Sequence, residues 1–181
     1  MSELIYLRAL EASDLERCHT WHNDRNLYDM LVGPFRFVSK QAEQAWLDRR
    51  TAFSSNEVNL AICLKKSDEH IGNIYLREID WISRCARLEI FIGDREERSK
   101  GYGQSAIRQL LTCAFRDLGL NRIYLQVLAD NCAAINVYEK CGFSIEGRLK
   151  NHVFKQGGWK DLIVMGICAE DHIANKDGGQ S

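Results

Sequence analysis

The sequence predicts an α/β fold of the α+β kind, a mixed sheet with helices packed against it. Three observations predict it. Between residues 58 and 93 stand three strand-like segments, "VNLAICLK", "HIGNIYLREID" and "CARLEIFIG", joined by turns short enough for hairpins. A strongly periodic helix follows, with Ile107, Leu110, Leu111, Ala114, Phe115 and Leu118 on one face. After it come a strand, a short helix and a final hairpin.

In chain order, "LIYLRAL" reads as the first strand. Ser13 and Glu16 have capping-box spacing and start a helix that runs to about Asn23. Pro34, the single proline, breaks the chain after "NLYDMLVG". Ser39 opens a second helix, whose apolar face is read as Ala42, Ala45, Trp46 and Phe53. The three hairpin strands come next, then the periodic helix, which Gly119 ends. "RIYLQVL" alternates as a strand, and "NCAAINVYEKC" is a short helix stopped by Gly142. "FSIEGRLKNHVF" and "WKDLIVMGIC" form a hairpin around Gly157 and Gly158. The order is β-α-α-β-β-β-α-β-α-β-β. It is expected to be one domain over residues 1–172, with 173–181 a polar, frayed tail.

With 24 Lys+Arg against 25 Asp+Glu, no basic excess points to nucleic acid or a membrane surface. No apolar run is long enough to span a bilayer, and "MSELIYLRAL" has no apolar signal core, so a cytoplasmic location is expected. Seven cysteines, an odd number without a C-x-x-C pair, read as reduced thiols. His19 and His22 lie three apart beside Cys18, but no second ligand pair follows, and no metal is expected.

The most informative stretch is "REERSKGYGQSAIRQLL", where a charged loop passes two glycines and enters the periodic helix. A helix start presents unpaired N–H groups and a positive dipole end. Gly101 and Gly103 let a bulky anion approach the backbone, with Arg98 and Lys100 beside it. The same residues also suit a plain turn that needs positive φ. The P-loop pattern fails, because Gly103 is followed by Gln104 and Ser105. Gly101, Gly103 and Ala106 match the dinucleotide fingerprint, with Asp130 placed for a ribose. However, seven residues, 94–100, separate the glycines from the strand, and hairpins precede them.

A third match is the coenzyme A cradle, Arg/Gln-x-x-Gly-x-Gly/Ala, at Arg98, Gly101 and Gly103. Downstream, "NCAAINVYEKCGF" resembles the second signature of the GNAT N-acetyltransferases, in the right order and at the right separation. The resemblance extends over nearly the whole chain, toward the branch of ribosomal-protein N-terminal, spermidine and nucleotide-aminosugar acetyltransferases. It implies a mostly antiparallel sheet in which parallel strands 4 and 5 splay apart. Acetyl-CoA would be the co-substrate, its arm along Phe91, Ile92 and Gly93 and its pyrophosphate on Arg98, Ser99, Lys100, Gly101, Tyr102 and Gly103, with Gln104 near. Asn131, Ala134, Tyr138 and Lys140 would touch it from the next helix. Many relatives dimerise, so a homodimer is admitted. Tyr138 matches the family's general acid. Glu89, one pleat from Phe91, is the first candidate for the base; a salt-bridged surface acid is the alternative reading.

The acceptor is expected to be a small-molecule or peptide amine. Trp21, Asn23, Arg25, Tyr28, Phe35, Phe37, His152 and Trp159 are candidates to line its pocket. The cations Arg25, Arg36, Arg148, Lys150 and Lys155, with Trp159, favour a nucleotide-linked aminosugar. A protein N-terminus or a polyamine is the alternative, the latter without the acid-rich stretch expected of it between the first helices. A non-catalytic acyl-CoA-binding module would keep the cradle and lose Tyr138, which is present.

Overall fold

The computed structural model describes residues 4–172; the tail expected at 173–181 lies outside them. One sheet of seven strands organises the chain, in the order β1-β2-β3-β4-β5-β7-β6. The strands are β1 Ile5–Ala9, β2 Val58–Leu64, β3 His70–Asp80, β4 Cys85–Ile92, β5 Arg122–Leu128, β6 Ser144–Lys155 and β7 Gly158–Cys168. Every neighbouring pair is antiparallel except β4 and β5. That parallel pair joins only Cys85, Ala86 and Arg87 to Arg122, Ile123 and Tyr124. Beyond Arg87 the two strands part, so Ile90 and Ile92 are only half-buried while Leu88 is buried.

Helices cover both faces, and strand alternation sends neighbouring side chains to different cores. On one face α4, Tyr102–Thr112, buries Ala106, Ile107, Leu110 and Leu111. There they join Ile62, Ile74, Leu76, Leu88, Ile123 and Leu125, and α5, Cys132–Lys140, adds Tyr138. On the other face lie Leu10, Leu47, Ala61, Cys63 and Tyr75. Beside them α1, Leu15–His22, and α2, Arg25–Met30, supply Cys18, Trp21 and Leu27. The short helix α2, started by the Asp24 side chain accepting from the Asn26 N–H at 2.9 Å, is absent from the sequence reading.

Two helix expectations are corrected. The turn into α1 begins at Ala12, and Ser13 with Glu16 forms no capping box. Asp14 takes that role: its carboxylate accepts from the Glu11 N–H at 2.9 Å, from Arg8 at 2.7 and 2.8 Å, and lies 3.0 Å from His70 Nδ1. Glu16 pairs with Lys40 instead. In α3, Lys40–Thr51, Ser39 is the cap as expected, but Glu43 and Leu47 form the buried line. Ala42 and Ala45 are exposed, and Phe53 lies beyond the helix in solvent. The helix is rotated from the expected face because His22 holds the Glu43 carboxylate inside.

Burial opposes ionisation of Asp14, but hydrogen bonds from Arg8, His70 and the Glu11 N–H overcome it and hold this carboxyl well below the usual range. A depressed carboxyl stabilises the fold above its unfolded pKa, and that stability is lost as pH falls through the folded value. Asp14→Asn is therefore expected to flatten the loss of stability below about pH 4, read by urea melts across pH. An acid limb as steep as wild type would show that the Arg8–Asp14–His70 cluster is not its source.

Candidate active site

A cleft of about 730 Å³ opens where β4 and β5 part. One end is the loop into α4. Ser99 and Gly101 both adopt positive φ, 62° and 84°, and Gly101 is the N-cap of α4 with no side chain capping the helix. A Cβ at Gly101 or Gly103 would meet nothing within 4 Å, so the backbone here is open on its Cβ side. An eleven-residue helix with an uncapped start and a glycine floor fits a pyrophosphate. The gap between β4 and β5 fits an extended arm. Gly93 donates its N–H to Ile71 at 2.8 Å and so faces β3. Alternation then turns the Ile90 and Ile92 amides toward the gap.

Of the residues expected to hold the coenzyme, Phe91, Ile92, Arg98, Ser99, Gly101, Gly103, Gln104, Asn131, Ala134 and Tyr138 line this cleft. Gly93, Lys100, Tyr102 and Lys140 do not. The Gly93 N–H is used by β3 and its carbonyl accepts from Arg98, while the Trp21 ring fills the place a Cβ would need. Lys100 pairs with Glu97 at 3.0 Å, Tyr102 packs on the core, and Lys140 is exposed at the far end of α5. Arg98 also differs from expectation. It donates to the carbonyls of Ile92 at 3.0 Å and Gly93 at 2.7 Å, so it fixes the end of β4 rather than standing free beside an anion. Asn131 caps α5, accepting from the Ala134 N–H at 3.2 Å, and donates to the Met30 carbonyl.

Tyr138 lines the cleft from α5 with 9% of its surface exposed. Among the described residues no group hydrogen-bonds its hydroxyl, and burial pushes the phenol up to about 12. It therefore carries its proton at neutral pH. Glu89 also lines the cleft, but Arg77 and Arg87 hold its carboxylate. Accepting a proton there would break two ion pairs, so the geometry favours the salt-bridged reading, with Arg77 the partner that sequence did not supply.

The far end of the cleft is built from residues the sequence reading did not collect: His22, Trp46, Arg50, Glu57, Tyr75 and Arg77. Arg77 lies 4.0 Å from the centre of the Tyr75 ring and pairs with Glu57 at 2.8 Å. Alternation in β3 was the available signal, since Tyr75 and Arg77 share the face opposite Ile74 and Leu76. Of the candidate pocket residues, Tyr28 alone lines the cleft. Trp21 is buried, Asn23 holds the backbone of Val38, and Phe37 and Trp159 are in solvent. The expected cations are elsewhere too: Arg25 lies over Phe35, Arg148 pairs with Asp161, and Lys155 donates to the carbonyls of Tyr28 and Gly33. His19 meets the Val38 carbonyl and His22 meets Glu43. No group of three or more His, Cys, Asp or Glu among the described residues can hold a metal, and no described helix is long and apolar enough to cross a membrane.

A helix-start cradle at the mouth of two splayed strands, in one cleft with a buried phenol, fits an acyl-coenzyme A. Residues 5–144 match the family described as an acetyltransferase (GNAT) domain, and the chain belongs to that family. It is 30% identical to a spermidine N(1)-acetyltransferase of Vibrio cholerae over 180 residues, 96% of this chain and 98% of the relative. It is 33% identical to the L-amino acid N-acetyltransferase AaaT of Escherichia coli over 165 residues, 91% and 98% of the two chains. The crystal structure of the Vibrio cholerae spermidine N-acetyltransferase in complex with CoA and spermine superposes with a TM-score of 0.87 at 29% identity, covering 94% of this chain and 98% of that one. The protein is an N-acetyltransferase, with acetyl-CoA as acyl donor.

Arg98→Ala removes two charge-assisted bonds at the end of β4. The expected result is coenzyme affinity weaker by about 10–100-fold with the fold retained, read by calorimetry and circular dichroism. Wild-type affinity would show that the cradle does not depend on this staple.

Proposed function

We propose that this enzyme acetylates a primary amine of an aliphatic polyamine by direct attack in a ternary complex, with Tyr138 as general acid. One observation carries the chemistry: a buried, unpartnered phenol in the cleft that joins the glycine cradle to the strand gap. The coenzyme supplies a thioester. The Ile92 N–H, turned into the gap, is placed to polarise its carbonyl oxygen. The Tyr138 hydroxyl supplies the proton that the departing sulfur needs. Ser99, Gly101, Gly103 and Gln104 take the phosphates, and Arg98 keeps the strand end in position.

For the acceptor, the polyamine reading rests on the spermidine-acetylating relative and on Glu57, Glu78 and Glu89 in the cleft wall. Glu78 and Glu89 keep 62% and 40% of their side-chain surface exposed, so each can face a cation of the polyamine beside the arginines that already pair with it. The nucleotide-aminosugar acceptor favoured by sequence loses its support, because its expected cations do not face the cleft. A second reading has its own observation. Arg77 and Arg50 line the same wall and would take a carboxylate, which suits an L-amino acid. The seven free cysteines suit a reducing compartment, and we assign the enzyme to the cytoplasm.

The test is acetyl transfer from acetyl-CoA to spermidine, L-amino acids, a nucleotide-linked aminosugar and a peptide with a free N-terminus, read by product mass. Spermidine is expected to be turned over best. Preferred turnover of an L-amino acid would move the acceptor to the second reading. In Tyr138→Phe, kcat is expected to fall about 10²–10⁴-fold with coenzyme affinity unchanged. Unaltered turnover would remove Tyr138 from its role.

A further inference from the structure

The acceptor amine has a pKa near 10 and arrives mostly as an ammonium ion, so something must take its proton before attack. Glu89 is held by two arginines. We propose that His22 is the general base, oriented by Glu43 as a histidine–carboxylate dyad in the acceptor wall of the cleft. This rests on the reading of the protein as an amine acetyltransferase.

His22 ends α1 and lines the cleft with 9% of its surface exposed. Its Nδ1 lies 2.8 Å from both carboxylate oxygens of Glu43, which is 0% exposed on α3. A carboxylate enclosed to that degree is costly unless paired, and the imidazole is its partner among the described residues. The pairing fixes the ring: Nδ1–H donates to Glu43, which leaves Nε2 as the acceptor nitrogen. Among the described residues no group hydrogen-bonds Nε2. Trp46 stands edge-on to the imidazole at 4.6 Å, and Tyr28 and Phe91 lie at 6.3 Å, so three rings hold it. Phe91 precedes Ile92, the residue whose N–H turns into the gap between β4 and β5. The dyad thus sits beside the reacting end of β4, on the same face as Glu89.

The proton account closes. The ammonium gives one proton to His22 Nε2, and Glu43 stabilises the resulting imidazolium. The neutral nitrogen bonds to the thioester carbonyl carbon and the carbon–sulfur bond breaks. Tyr138 gives its proton to sulfur and is reprotonated by the second proton that the nitrogen sheds. His22 releases the first proton to solvent through the open cleft. The products are the amide, the free thiol and one proton.

Two further titratable groups feel the Glu43 charge, Tyr28 on α2 and Cys18 on α1, and Tyr28 also feels Glu89 on β4. Burial pushes both Tyr28 and Cys18 up to about 12, so neither changes charge near neutrality.

The experiment compares wild type with His22→Asn and Glu43→Gln, using the acceptor that wild type acetylates best. Asn keeps a side-chain N–H for Glu43 but has no basic nitrogen. At about pH 7 the expected result for His22→Asn is a fall in kcat of about 10²-fold with coenzyme affinity unchanged by calorimetry. The deficit should narrow toward about pH 9, where more of the amine is neutral in solution. Glu43→Gln is expected to show a smaller deficit with the same pH trend, as a positioning residue would. A His22→Asn rate within about twofold of wild type, or a deficit that does not narrow with pH, overturns the dyad and leaves the acetyltransferase reading standing. Wild type that binds coenzyme and acetylates none of the acceptors overturns that reading, and the dyad with it.

Discussion

The structure depends on one constraint: β4 and β5 pair over three residues and then separate. A parallel pair broken inside a sheet leaves backbone groups without partners, which is tolerable only where something else will bond them. The chain supports the β4 side of the break. Arg98 takes the carbonyls of Ile92 and Gly93. Trp21 packs on Gly93 and donates to Asp94 at 3.1 Å, and Arg17 holds the other Asp94 oxygen at 2.7 Å. The opening is therefore a built feature of the fold, and the uncapped start of α4 lies at its mouth. These two sets of groups, the strand edge and the helix start, are the ones the proposed reading assigns to the thioester arm and the phosphates.

The two faces of the sheet divide the work. The face under α4 and α5 is apolar and holds Tyr138, whose proton is retained because burial disfavours the phenolate. The face under α1 and α3 carries charge in a semi-enclosed wall: Arg50, Arg77 and Arg87 interleaved with Glu57 and Glu89, and the enclosed His22–Glu43 pair. Ion pairs of this kind contribute little net stability once desolvation is counted. Their effect is geometric, since each carboxylate is held by a named partner and the wall keeps a fixed pattern of charge toward the acceptor. Tyr75 belongs to that wall as well. Its hydroxyl is buried without a hydrogen-bond partner under the Arg77 guanidinium, and burial drives its phenol far upward.

The features legible in sequence were the ones with local causes. Gly101 stood out because a residue at φ 84° before a helix strongly favours glycine. The face of α4 was readable because its apolar period matched 3.6 residues per turn, and the hairpin strands because their alternation and turns are short-range. The coenzyme cradle and the role of Tyr138 came from the resemblance to the GNAT signatures. Glu43 was not legible, because a charged helix residue is ordinarily solvent-facing, and what turns it inward is His22, 21 residues away. With Glu43 turned inward, the buried line of α3 runs through Glu43 and Leu47 rather than Ala42 and Ala45. Gly93 and Arg98 fall within the coenzyme motif, yet their hydrogen-bonding groups serve the sheet and the loop.

By itself, then, the sequence determined the order of most elements and the glycine-led start of α4, since each rests on residues close together in the chain. Tertiary structure decided which groups remain available once the protein has satisfied its own hydrogen bonds, and which charges share a wall. The charged wall draws on α1, α3, β3, β4 and the loop before β2, with His22, Glu43, Glu57, Arg77 and Glu89 contributed singly. A side chain's partner across a sheet or between helices is fixed by packing, and no local pattern encodes it.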